Sequence, residues 1–166
     1  MTTFSPIEQS KQNQWQAIVI YALAFWLSAT AIVDFVIMPS LFAAGMMAQP
    51  SFATAGYSIF WIFNRLELLC AALVITGCLV VKNTQNFRSN WSNPAIIISL
   101  LLLTITLIDT YALTPTMSGM GMQLNLFEPA TVPAGMNLMH QSYWALELLK
   151  IMAAGALLNL GLRKAS

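Results

Sequence analysis

The sequence predicts an all-α membrane protein, a four-helix transmembrane bundle with cytoplasmic N and C termini, and three observations lead there. Of its 166 residues 58% are hydrophobic and only 8% charged, against about 25% charged in a typical soluble domain. Mean hydropathy is +0.70, so lipid is the expected solvent for most of the surface. Four segments, 17–41, 57–81, 94–113 and 136–162, are apolar and reach the roughly 20 residues that a span requires. The length suits a single four-span domain over 1–166. The net charge of +1 gives no reason to expect nucleic acid.

The elements follow in chain order. The polar start over 1–16 leads into an apolar run much longer than the roughly 7–15 residues of a signal-peptide core, so it reads as a retained first span. In the second span, Cys70 and Cys78 would lie roughly 12 Å apart on one helix, too far to bridge. They read as buried thiols acting as small hydrophobes. Asn93 followed by Pro94 looks like a cap and first helical residue of the third span. Pro115, Pro129 and Pro133 all fall in the connection before the fourth, so no span is expected to carry Pro at its centre.

Small residues in span one (Ala22, Ala24, Ser28, Ala29, Ala31) and span four (Ala153, Ala154, Gly155, Ala156) suit close helix packing in lipid. Trp15, Tyr57, Trp91 and Tyr143 fall near span ends, where aromatic belts form. Orientation follows from the basic residues. Lys11, Lys82, Arg88, Arg163 and Lys164 all fall on one side, and the connections 42–56 and 114–135 contain no Lys or Arg. The positive side is the cytoplasmic one, so both termini go inside and the two uncharged-to-acidic connections face out.

Charges inside spans carry the functional information. Asp34 lies in span one, Arg65 and Glu67 in span two, Asp109 in span three, and Glu147 and Lys150 in span four, with His140 near its outer start. Each costs at least ~2.5–3.5 kcal/mol to insert, so such residues face the bundle and find partners. Asp34 and Asp109 come late in outward-running spans; Arg65, Glu67 and Glu147 come early in inward-running ones. They could therefore meet at one depth in the outer half, with Lys150 somewhat deeper and the depth of Arg65 turning on whether span two begins near Ser51 or near Tyr57. His140, Tyr143, Glu147 and Lys150 recur at three- and four-residue steps, and Trp61, Asn64, Arg65 and Leu68 form a comparable stripe. Four carboxylates against two bases leave the cluster nominally −2, a field that attracts cations unless protons neutralise part of it. The alternative is that these residues pair off and fix helix register.

Methionine is one-sided. Met38, Met46, Met47, Met117, Met120, Met122, Met136 and Met139 sit in or beside the outer connections, the last two next to His140. Thioether sulfur selects soft ions such as Cu(I). Met117, Met120, Met122, Met136, Met139 and His140 are the candidate copper ligands, with gap-filling under the loops as the plain alternative.

The segment from Asp34 through Pro39-Ser-Leu-Phe42, followed by Ala55-Gly56 and Phe60, resembles a family of four-span membrane proteins of unknown function. That family includes the eukaryotic four-span protein linked to cisplatin resistance, and it is distantly similar to the copper-resistance D proteins. The resemblance implies a His near the start of the last span with polar residues three and seven positions on, here His140, Tyr143 and Glu147. Eukaryotic members usually carry Asn where this chain has Glu147. The resemblance also implies a bacterial inner membrane and a link to metals or platinum drugs.

An enzyme is not expected. There is no nucleophile–base constellation, phosphate loop or HExxH, and a single His rules out a two-His haem within one chain. Two readings remain. One is a protein that binds or moves a cation such as Cu(I) through an outward-facing polar cluster. The other is a non-catalytic accessory or assembly subunit of a larger membrane complex. The expected partners are the lipid bilayer and either another membrane protein or a second copy of the chain.

Overall fold

The computed structural model describes residues 6–46, 52–84, 92–119 and 135–165, and among them four long helical rods carry the four apolar segments. The first rod is α1 (Pro6–Ile32), a π-helical turn (Val33–Ile37) and α2 (Met38–Ala43). The second is α3 (Phe52–Thr84). The third is α4 (Ser92–Ile108), a second π turn (Asp109–Leu113) and α5 over 114–119. The fourth is α6 (Met136–Ala165). Within the rods, Asn13–Leu41, Thr54–Asn83, Asn93–Gly119 and Gln141–Arg163 are each long and apolar enough to cross a bilayer. The chain is thus an integral, multi-pass membrane protein. Of the residues singled out above, Met47, Arg88, Trp91, Met120, Met122, Pro129 and Pro133 lie outside the described residues.

The third rod runs past the expected end at residue 113, and Pro115 belongs to its helix rather than to a connection. The two π turns explain how. A helical Pro has no N–H for the carbonyl four residues back, and its ring presses on that carbonyl. For Pro39 and Pro115 the carbonyl belongs to Phe35 and Tyr111, each inside a π turn. The widened turn relieves the clash. Met38 N–H then bonds Val33 O and Thr114 N–H bonds Asp109 O, five residues back in each case.

The rods pack in a ring. α1 lies against α3 and α6, and α4 lies against the same two; across the diagonals, backbones do not approach closely among the described residues. Gly77 permits the α1–α3 approach, because a methyl group there would overlap Val19 Cγ2. Of the small residues, Ala153 and Ala154 are buried, while Ser28, Ala31 and Ala156 face outward. Large apolar side chains such as Phe25, Ile62, Leu69, Ile97 and Leu148 are exposed, as a lipid-facing surface requires.

The interior has two layers. Towards the chain termini it is mostly apolar: Val19 and Leu23 of α1, Val74 and Cys78 of α3, Ala95 and Leu102 of α4, and Leu157 of α6 form one apolar cluster. Cys70 and Cys78 are free, buried thiols. Towards the connections 42–56 and 114–135 the interior turns polar, and that layer is the candidate site.

Candidate functional site

Each rod brings one buried carboxyl group to the polar layer: Asp34, Glu67, Asp109 and Glu147. Helical spacing selects them. Asn64 and Glu67 share one face of α3, and Tyr143, Glu147 and Lys150 share one face of α6; all five are buried. Asp34 and Asp109 fall at the start of the two π turns. Such turns often occur at functional positions in helices.

At the centre stands the Lys150 ammonium. Its Nζ is 2.7 Å from Glu67 Oε2, 2.7 Å from Glu147 Oε2 and 3.0 Å from Asp109 Oδ2. The Glu67 contact is also a well-aligned hydrogen bond. Glu67 is the best-held carboxylate of the set. Its other oxygen accepts from Trp26 Nε1 at 2.9 Å and from Thr30 Oγ1 at 3.4 Å. Beyond the ion pairs, both oxygens of Asp109 and of Glu147, together with Asp34 Oδ2, have no hydrogen-bond partner among the described residues. Buried carboxyl oxygens left this way are costly.

Asn64 caps this layer on the side of the third rod. Its Nδ2 donates to Thr114 Oγ1 at 2.6 Å and, at 3.5 Å, to Asp109 O, the same carbonyl that closes the π turn. Asn64 Oδ1 is buried and has no partner among the described residues. Tyr143 is buried, its ring edge-on to Phe60 with centroids 5.7 Å apart. It therefore belongs to the packed interior and not to an interfacial belt.

The structure thus brings together Asp34, Asn64, Glu67, Asp109, Tyr143, Glu147 and Lys150. Arg65 stays out of the group. It is one residue from Asn64, hence turned about 100° around the helix. It lies exposed, with its guanidinium 3.5 Å over the Trp61 ring. Of the candidate copper ligands, Met117 and Met139 are half-buried, and Met136 and His140 lie in α6. No group of three or more His, Cys, Asp or Glu among the described residues is spaced to hold a metal ion; the ammonium occupies the centre that a metal would need. Trp26, Thr30 and Thr114 are site residues that charge and methionine alone do not reveal. The steps from Trp26 to Thr30 to Asp34, four residues each, were the available signal.

Residues 21–125 match the family described as a domain of unknown function (DUF4149). The match takes in Asp34, Asn64, Glu67 and Asp109 and ends before α6. No curated protein and no solved structure matches the chain.

Proposed function

The chain belongs to the family of unknown function that its first three spans match, and from its site we propose a non-catalytic membrane protein that binds a small cation in the polar layer. In this reading the Lys150 ammonium is the resident cation, tethered to the chain, and an incoming proton or metal ion displaces it. The observation that supports it most is the meeting of four carboxyl groups, one per rod, with a single ammonium. A structural strut requires one carboxylate; the others add capacity for positive charge. Lys82 and Arg163 at the apolar end favour cytoplasmic termini, with the site opening to the outer side of a bacterial inner membrane.

All-oxygen surroundings favour a hard ion or a proton over Cu(I). Copper enters through Met117 and Met139 at the same end and through the resemblance to copper-resistance D proteins, with Met120, Met122, Met136 and His140 completing the candidate set. An accessory subunit is the second reading. It is favoured by the way the cluster ties all four rods together, and it calls for a stoichiometric membrane-protein partner or a second copy in mild detergent.

Trp26 is the reporter, since its indole N–H bonds Glu67. In purified protein its emission, taken as the difference from Trp26→Phe, is expected to change saturably when acid, sodium or Cu(I) is added. The response should vanish in Glu67→Gln with Glu147→Gln. If none of these cations moves the signal, the binding reading fails. If Cu(I) alone does, and replacing Met117, Met120, Met122 and His140 together abolishes it, the ion is copper.

A further inference from the structure

A crevice opens between α3 and the third rod, on the outer side of Asn64. It has room of about 140 Å³, enough for a small polar group together with water. Tyr57, Trp61 and Arg65 line one wall, Tyr111 and Thr114 line the other, and Asn64 lies at its base.

Two of these side chains have needs that the protein leaves open. Arg65 lies inside the apolar span Thr54–Asn83, exposed, and faces no carboxylate among the described residues. A bare guanidinium among acyl chains is expensive. Its Nη1 donates to Trp61 O at 3.2 Å, so the side chain reaches back towards the Thr54 end, as a snorkelling Arg does. The second is Asn64, a lining side chain only 2% exposed, whose Oδ1 has no donor among the described residues. The crevice thus presents a cation at its mouth and an acceptor at its base. Tyr57, Trp61 and Tyr111 flank it with the aromatic character of a headgroup zone.

We infer that this crevice holds the headgroup of a phospholipid, with the phosphodiester on Arg65 and a headgroup donor on Asn64 Oδ1. A guanidinium matches phosphate with two parallel N–H donors. An amide oxygen only accepts, so the headgroup must bring an N–H or O–H. Ethanolamine does; choline, whose nitrogen is fully methylated, does not. The site shares Asn64 with the polar layer but uses neither Lys150 nor its carboxyl groups, so it stands whether or not that cluster binds a cation.

The test is native mass spectrometry of the full chain, given phosphatidylethanolamine or phosphatidylcholine with identical acyl chains. The wild type is expected to retain one phosphatidylethanolamine about fivefold better than phosphatidylcholine, as one buried hydrogen bond would dictate. Arg65→Gln should lower retention of both by about tenfold or more. Asn64→Leu should erase the preference and leave phosphatidylcholine retention unchanged. Arg65 is exposed, so its replacement leaves the fold intact and the test readable even if Asn64→Leu misfolds. Equal retention of the two lipids by the wild type, or no effect of Arg65→Gln, overturns the inference. Displacement of the lipid by millimolar inorganic phosphate also overturns it, because the ligand would then be the free anion.

Discussion

Glu67 and Lys150 lie 2.7 Å apart on two helices, α3 and α6, whose backbones do not otherwise come close among the described residues. Their ion pair therefore crosses the bundle's diagonal. Together with the Phe60–Tyr143 ring contact across the same diagonal, it ties two rods whose backbones stay apart.

Removing the ammonium should be severe. Lys150→Met is expected to destabilise the bundle by about 3–5 kcal/mol, the usual cost of stranding buried charges. Combining it with Glu67→Gln should lose clearly less than the two single losses added together. Loss of helicity on titration with SDS measures both. Additive losses would mean that the two groups do not interact.

The other oxygen of Glu67 ranks its donors. Trp26→Phe keeps an aromatic ring, though a smaller one, but removes the N–H at 2.9 Å, and about 1.5–3 kcal/mol of stability should go with it. Thr30→Val removes a longer bond of 3.4 Å and should cost less. The reverse order in the same SDS assay would show that the hydroxyl, not the indole, holds Glu67.

Two glycines make a controlled pair. Gly77→Leu drives a side chain into Val19 and should cost about 1–3 kcal/mol, as overpacking does. Gly155→Ala meets nothing within 4 Å and should be neutral or stabilising by up to about 1 kcal/mol. Thermal aggregation in detergent distinguishes them. Equal effects would mean that the α1–α3 contact is looser than described.

Orientation can be read with thiols. Cys70 and Cys78 are buried and free, so the native chain should resist a water-soluble maleimide until SDS unfolds it. Against that silent background, Ala44→Cys on intact cells should label from outside, and Asn83→Cys only after the membrane is opened. Labelling in the opposite order would place the termini outside.

The spans were legible because lipid-facing helices need almost no polar residue, so hydropathy alone reports them. The cluster was legible in its charges, since no loop accounts for Asp34, Glu67, Asp109, Glu147 or Lys150. The place of Arg65 was less so. Adjacent residues on a helix cannot both face the axis, and the choice between Asn64 and Arg65 is made by the step from Asn64 to Glu67, not by charge. The π turns were hidden for another reason. They arise from Pro39 and Pro115 acting backwards along the chain, and an apolar run conceals such bulges. Trp26 was obscured by its own chemistry: a Trp in a span looks like lipid-facing bulk until a carboxylate stands opposite its N–H.

Each π turn amounts to one extra codon worn as a bulge in an otherwise regular helix. Its presence rotates everything beyond it by about 100° relative to an uninterrupted helix. A single-residue deletion within 35–37 or 110–112 should therefore take up the bulge and keep α2 or α5 close to its present face, while restoring the clash behind Pro39 or Pro115. Because Asp34 and Asp109 sit where the phase changes, a change of one residue in length acts on the local geometry of the site, with no change in the charges that compose it.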